Sequence, residues 1–178
     1  MKLNLGCGRN LLEGYENIDL NGKNVIRCDI RSLPQYKNES VDEILLNNVL
    51  EHLANKDLRP ALKEWNRVLK TGSLIKIQCP NVIGAVKAFL ENRLECRGFA
   101  KHYPHRTPEE VLFQMLYGRA DILGDNDPIE CQHMTGFCYN RLNRFLKECG
   151  FEITKANDTT DTNQNLEIEA QKVKITNK

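Results

Sequence analysis

Five short apolar runs, each closed by a turn signal, fall within the first eighty residues, and one strongly periodic helix separates the fourth from the fifth. Leu3-Asn4-Leu5 runs into Gly6-Cys7-Gly8. Glu16 to Leu20 is followed by Asn21-Gly22. Val25 to Ile30 is closed by Ser32-Leu33-Pro34. Val41 to Asn47 is the fourth run, and Leu74 to Cys79 is stopped by Pro80. Between the last two, Leu58, Ala61, Leu62, Trp65, Val68 and Leu69 recur at helical spacing and make one apolar face. Asp57 reads as its N-cap, Pro60 as a first-turn residue, and Gly72 as a left-handed C-terminal stop. Strands alternating with helices imply a parallel sheet joined by crossovers, an α/β fold. The strand order is not legible at this level.

The rhythm breaks after Pro80. A helix is expected over 82–97, with Ile83, Val86, Phe89, Leu90 and Leu94 inward and Gly98 as its stop. Thr107-Pro108-Glu109-Glu110 spells a helix start: a Thr cap, Pro in the first position and Glu in the third. That helix runs through Met115 to a stop near Gly118. A span on the order of 50 residues with two helices is too long for a simple connection, so 82–132 reads as an insertion after strand five. Residues 137–150 form a further amphipathic helix, with Leu142, Phe145, Leu146 and Cys149 inward. Phe151–Lys155 and Leu166–Val173 then read as a strand pair able to run antiparallel. The expected organisation is a single domain over 1–178. Its parts are a ligand-binding half (1–81), the helical insertion or substrate cover (82–132), and a closing helix and strand pair (133–173).

Composition excludes several classes. With 25 Lys+Arg against 24 Asp+Glu the net charge is +1, so bulk nucleic-acid binding is not expected. No run of 18 apolar residues is present, and the N-terminus lacks the apolar core of a signal peptide, so no membrane association is expected. The seven cysteines are scattered, with no CxxC pair, so neither a zinc knuckle nor a disulfide framework is indicated. A reduced, cytoplasmic protein is expected. The acidic stretch Asp121 to Glu130 lacks calcium-loop order, and no metal ligand set is assigned.

The chemistry concentrates at three strand ends. Gly6 and Gly8 allow backbone to approach a ligand closely, at the edge where open α/β sheets bind ligands. Asp19 ends the second strand, and a carboxylate there can accept from both hydroxyls of a ribose. Asp29 ends the third, where it can accept from an adenine amino group while Ile30 packs on the ring. Each acid also fits an ordinary turn starter. A glycine turn and two acids ending three successive strands point to a nucleoside-bearing ligand. A nicotinamide dinucleotide does not fit. The third fingerprint glycine would fall at Leu11, and Asp19 comes too early.

These segments together resemble the class I S-adenosylmethionine-dependent methyltransferases, and most closely the small predicted methyltransferases that open on an LNLGxG motif. LNLGCG (3–8), GYENIDL (14–20) and CDIRSLP (28–34) are similar to the family's first three motifs. VDEILLNNVLEHL (41–53), RVLKTGSLIKIQCPN (67–81) and HMTGFCYNRLNRFLKECGFEI (133–153) are similar to its later ones. The resemblance implies a Rossmann-like, doubly wound, mostly parallel seven-stranded sheet with the last strand antiparallel, and S-adenosylmethionine as cofactor. It implies that Gly6, Cys7 and Gly8 line the methionine end. Asp19 and Leu20 would lie at the ribose, Asp29 and Ile30 at the adenine, and Asn47 and Asn48 near the amino group and methyl donor. Glu51 and His52 fall on the turn after strand four, with His52 read as turn support.

Two departures carry expectations. The stretch 6–16 is too short for a full crossover helix, so a single turn and a more open site are expected. Met1 abuts strand one, so the insertion is expected to cover the substrate side. The absence of an NPPY-like tetrapeptide after strand four weighs against a DNA amino-methyltransferase. The balanced charge agrees with a small-molecule or saccharide acceptor. His133 is the candidate for base or acceptor contact; it also fits a loop cap. Two functional readings remain open: an active methyltransferase, or a non-catalytic module that binds S-adenosylmethionine or S-adenosylhomocysteine.

Overall fold

The structure is a computed structural model and describes residues 1–94, 107–118, 132–157 and 165–174. The expectations placed on Cys96, Gly98, the His102–Arg106 loop, the Asp121–Glu130 stretch and Cys131 lie outside the described residues. The chain runs β1 (Lys2–Leu5), β2 (Glu16–Asp19), β3 (Ile26–Arg27), β4 (Val41–Asn47), α1 (Asn55–Val68), β5 (Leu69–Pro80), α2 (Val82–Leu90), α3 (Pro108–Tyr117), α4 (Tyr139–Glu148), β6 (Phe151–Asn157) and β7 (Asn165–Lys172). A single 3-10 turn, Leu50–His52, follows β4.

The seven strands form one sheet in the order β3-β2-β1-β4-β5-β7-β6. β1 to β5 pair in parallel, and β7 runs antiparallel to both β5 and β6. This is the doubly wound, Rossmann-like sheet with an antiparallel last strand. Residue types explain the arrangement. Leu3, Leu5, Ile44, Leu46, Ile75 and Ile77 are buried at alternate positions and lie side by side in register on one face of the sheet, while Lys76 and Gln78 project from the other face of β5 into a shallow depression. In β7, Leu166, Ile168 and Ala170 are buried at every second position.

The sequence order reverses between β1 and β4. β1 connects outward to β2 on one side, and β4 connects outward to β5 on the other. That crevice, beyond the carboxyl ends of β1 and β4, is where such sheets hold ligands. Gly6 and Asn48 directly follow the two strands that flank it.

α1 covers the sheet with Leu58, Ala61, Leu62, Trp65 and Val68, all essentially without solvent contact. Each large apolar side chain buried there contributes about 1.5–3 kcal/mol. Its ends differ from expectation. The helix starts at Asn55 with extended Ala54 as the cap residue, so Asp57 lies inside the first turn and Pro60 in the second. The Pro60 position is exposed, so water can serve the carbonyl that its missing N–H leaves free. The C-terminal stop is not Gly72. Leu69 turns extended at once, and β5 begins there. Val41 pairs with Leu69 and Glu43 with Leu74, so residues 70–73 bulge out of register. Gly72, at φ +84°, supplies the left-handed residue of that bulge.

α3 starts as its residues predict. The Thr107 hydroxyl accepts from the Glu110 N–H, and the Glu110 carboxylate accepts from the Thr107 N–H. α2 presents only part of the expected face: Leu94 is buried and Phe89 packs against the core that contains it. Ile83 and Leu90 are exposed, while Gly84, Ala85 and Ala88 are buried. Small residues allow α3 to pack closely, and Ala85, Ala88, Leu94, Val111 and Met115 form a second, smaller core. α2 also ends at Leu90 rather than near residue 97, since the Arg93 N–H turns back onto the Ala88 carbonyl. Among the described residues no helix is long and apolar enough to cross a membrane.

Candidate functional site

The turn after β1 is held from both sides. The N–H groups of Gly6 and Cys7 donate to the Ile18 carbonyl at 2.8 and 3.1 Å. Gly6 and Gly8 have φ of +65° and +53°, in the left-handed region. At Gly6 a side chain is excluded twice over, because a Cβ there would stand 2.7 Å from Val49 Cγ2. The Gly8 N–H donates to Asp19 Oδ2 at 2.8 Å, and Asp19 Oδ1 accepts from the Asn21 N–H at 2.9 Å. One carboxylate thus ties the ends of β1 and β2 together. Each oxygen retains acceptor capacity for a ligand.

No helix fills residues 9–15, as the short connection implies. The segment is pinned from beneath. The buried Asn4 amide donates to the Asn10 carbonyl and to Asn17 Oδ1, both at 2.8 Å. Asn17 Oδ1 accepts from the Leu12 N–H, and its amide donates to the Leu12 carbonyl. Two asparagines on adjacent strands replace what a crossover helix would otherwise fix.

β3 is shorter than the predicted run because Asp29 bends the chain. Its carboxylate accepts the Arg31 N–H at 2.9 Å and the Arg31 guanidinium through Nε and a terminal nitrogen, the latter at 2.7 Å. The bond from the Arg31 guanidinium holds the Asp29 carboxyl below the usual carboxylate range. Arg31 also reaches Asp57 at 3.1 Å, so an acid in the first turn of α1 clamps the same loop. Ile30 is fixed through its main chain, whose carbonyl accepts the Trp65 indole N–H at 2.7 Å.

These elements enclose a cleft of about 390 Å³ at the crevice between β1 and β4. Gly6, Asp19, Leu20, Asp29, Ile30 and Asn48, all predicted cofactor contacts, line it. Arg31, Val49, His52, Leu53, Ala54, Asp57 and Met134 complete the wall. Cys7, Gly8 and Asn47 do not line it. Cys7 is buried, and burial together with the Asp19 charge pushes its thiol up. Gly8 acts through its N–H on Asp19. Asn47 is exposed at the end of β4, and the chain reverses at Asn48, whose φ is +53° and whose N–H donates to the Gln78 carbonyl. A smaller depression of about 170 Å³ over Lys76, Gln78, Lys155 and Glu169 contains none of the predicted residues.

His133 does not line the cleft. It meets the cleft through His52, the two rings lying edge to face with centroids 5.1 Å apart. Its neighbour Met134 is in the wall. His133 Nδ1 bonds the Met115 carbonyl at 2.9 Å, and His52 Nδ1 bonds the Gln132 carbonyl at 3.0 Å. Burial lowers the pKa of both rings. Residues 133–135 are held here by the Glu51 carbonyl, which accepts from the N–H groups of Met134 and Thr135 at 2.7 and 3.2 Å. His52, read from sequence as turn support, is therefore a wall residue.

The sequence places Glu51 on the turn after strand four and gives it no chemical role. Its carboxylate is buried, burial pushes it up to about 8, and Oε2 has no hydrogen-bond partner among the described residues. The available signal was its setting, an acid inside the apolar run Val49-Leu50-Glu51-His52-Leu53.

A family model described as a methyltransferase domain matches residues 11–77. No curated protein matches the chain. Among solved structures, a S-adenosylmethionine-dependent methyltransferase from Methanosarcina mazei is similar at TM-score 0.61 and 19% identity, over 97% of this chain and 92% of that one. The 1,6-didemethyltoxoflavin N1-methyltransferase of Burkholderia thailandensis, with bound 1,6-didemethyltoxoflavin and S-adenosylhomocysteine, is similar at TM-score 0.61 and 14% identity, over 97% and 71%. An Archaeoglobus fulgidus S-adenosylmethionine-dependent methyltransferase aligns at TM-score 0.58 and 19% identity, over 96% and 85%. Residues 11–77 thus carry a methyltransferase-domain pattern, and the chain has the fold of these enzymes.

Proposed function

We propose that this chain is a S-adenosylmethionine-dependent methyltransferase acting on a small-molecule or saccharide acceptor. The observation that carries the reading is the convergence of Gly6, Asp19, Asp29, Ile30 and Asn48 on one cleft at the switch point of the sheet. The methyltransferase-domain match over 11–77 supports it independently.

The residues present fit the cofactor. The Asp19 carboxylate is placed to accept from ribose hydroxyls, and Ile30 offers an apolar shelf for the adenine ring. Asp29, already engaged by Arg31, keeps an exposed edge for the adenine amino group. The left-handed backbone at Gly6 leaves room for the methionine portion, with Asn48 across the crevice. When bound, S-adenosylmethionine supplies an electrophilic methyl group on a sulfonium that departs as a neutral thioether.

The remaining task of the protein is to orient the acceptor in line and to exclude water. Val49, Leu53 and Met134 give the wall an apolar portion for that purpose. The helices of 82–132, packed on their own small core, serve as the acceptor-side cover. A hydroxyl acceptor must also lose a proton. His52 stands in the cleft wall with His133 behind it, and this pair is the proton acceptor in our reading. Among the described residues that line the cleft, Arg31 is held by Asp29 and Asp57, which supports an acceptor other than a polyanion.

Calorimetry with S-adenosylmethionine, S-adenosylhomocysteine and NAD tests the reading. Binding of the first two and not the third is expected. A screen of hydroxyl, amine and saccharide acceptors for S-adenosylhomocysteine release then reads turnover. Binding with no turnover on any acceptor would favour a non-catalytic module, and no binding would refute both.

A further inference from the structure

One cluster outside the predicted cofactor contacts has the composition and second-layer bonding of a metal site. Glu51, His52 and His133 each offer a ligand atom, and the three atoms lie within 4.8 Å of one another.

Three independent features point to an ion. The first is the orphaned carboxylate. Glu51 is 2% exposed, and its Oε2 finds no partner among the described residues. A buried carboxylate oxygen without a donor is costly, and a cation is the natural complement.

The second is the tautomer of both imidazoles. His52 Nδ1 lies 3.0 Å from the Gln132 carbonyl, and His133 Nδ1 lies 2.9 Å from the Met115 carbonyl. A carbonyl only accepts, so in each ring Nδ1 carries the proton. That leaves Nε2 of the neutral ring with a free lone pair, the form that binds metal. A main-chain carbonyl on the opposite ring nitrogen is also the usual device that orients a ligating histidine.

The third is the tie between the two segments. The Glu51 carbonyl accepts from the Met134 and Thr135 N–H groups, so the ligands are brought together by main-chain bonds that leave their ligating side-chain atoms free.

We propose that Glu51, His52 and His133 form a mononuclear site for a divalent first-row transition ion, with Zn²⁺ as the reference case. Two imidazoles and one carboxylate suit such an ion and disfavour Mg²⁺ or Ca²⁺, which take oxygen ligands. Three protein ligands leave a coordination position open. Because His52 lines the cleft, an ion held here stands at the cleft wall.

An imidazole whose Nε2 ligates an ion cannot also take a proton there, so the inference replaces the proton-acceptor role read above for His52 and His133; it does not depend on methyl transfer, and its test needs neither cofactor nor acceptor. The full chain is treated with chelator and titrated with Co²⁺, followed by visible absorption, and with Zn²⁺, followed by calorimetry. One equivalent of Co²⁺ should bind with ligand-field bands and no thiolate charge-transfer band, which separates this site from the seven cysteines. Glu51→Gln, His52→Ala and His133→Ala should each weaken Zn²⁺ binding at least about tenfold, with the fold checked by circular dichroism. In the wild-type chain, Zn²⁺ should shift the imidazole NMR signals of His52 and His133 and leave those of His102 and His105 in place. That measurement needs no variant to fold. Absence of stoichiometric binding, a thiolate band, or a folded His133→Ala chain with unchanged Zn²⁺ affinity would overturn the site.

Discussion

The Trp65 indole N–H donates to the Ile30 carbonyl at 2.7 Å, joining the most buried ring of α1 to the loop that forms one wall of the cleft. Trp65 is therefore more than a core anchor. It fixes the main chain of a residue proposed to pack on adenine.

Trp65→Phe keeps an aromatic ring and removes the donor. Leaving a buried carbonyl unpaired costs about 1–3 kcal/mol, with a further loss for the missing volume. A lower urea midpoint is expected, read by circular dichroism because Trp65 is the only tryptophan. S-adenosylhomocysteine affinity should fall with it, as the Ile30 shelf loosens. A variant as stable as wild type would show that the bond makes no net contribution.

Asp19 holds the glycine turn and, in the proposed function, the ribose. Asp19→Asn separates the two tasks. Its amide oxygen can still accept the Gly8 N–H, but the second acceptor, and with it the Asn21 N–H bond, is gone. Charge-assisted hydrogen bonds are worth about 1.5–3 kcal/mol, so S-adenosylhomocysteine should bind at least about tenfold more weakly while the melting temperature falls by less than in Asp19→Ala. Asp19→Ala should lose both affinity and stability. Equal affinity in Asp19→Asn and wild type would remove Asp19 from the ribose.

What was legible before folding was what is local. β4 begins and ends at the predicted residues Val41 and Asn47, and the Thr107–Glu110 capping box forms as written. Both are determined within a few residues. The misses are where tertiary contacts decide. Ile83 and Leu90 looked like a core face by hydropathy, yet close packing against α3 selects the small face of Gly84, Ala85 and Ala88. Gly72 is a left-handed glycine in either setting, and only pairing with β4 and β7 makes it a bulge residue. At the site, acids at strand ends were visible because topology sends every parallel strand end to one edge. The meeting of Glu51 and His52 with His133 was not, since it depends on how the long insertion returns to the sheet.

Gly6 should tolerate no side chain. Its φ of +65° costs an L-residue about 1–2 kcal/mol, and a Cβ 2.7 Å from Val49 Cγ2 adds overpacking of about 1–3 kcal/mol. Gly6→Ala should lower stability by the sum of these and weaken cofactor binding. Val49→Ala removes the clash and not the backbone strain, so Gly6→Ala should cost less in that background. Denaturation of the two single variants and the double variant measures the difference. Strict additivity would mean that contact with Val49 is not what excludes a side chain.

Alkaline pH should weaken the fold through Tyr15 and Tyr36. The Tyr15 hydroxyl donates to the Glu43 carboxylate, and that bond, with burial and the Glu43 charge, pushes the phenol up to about 12. Burial, then its bond to Glu16, raises Tyr36 as well. In the unfolded chain both ionise near pH 10. A group whose folded pKa is raised contributes stability that is complete below the unfolded pKa and is lost as pH climbs toward the folded one. Stability should therefore be flat in these two groups up to about pH 10 and fall between about pH 10 and pH 12. Tyr15→Phe should be less stable than wild type at neutral pH and show a shallower alkaline decline, because one of the two groups no longer titrates. Urea midpoints across that range, compared variant against wild type so that common lysine titration cancels, measure the slope. An unchanged slope in Tyr15→Phe would show that the Glu43 bond does not hold the phenol proton.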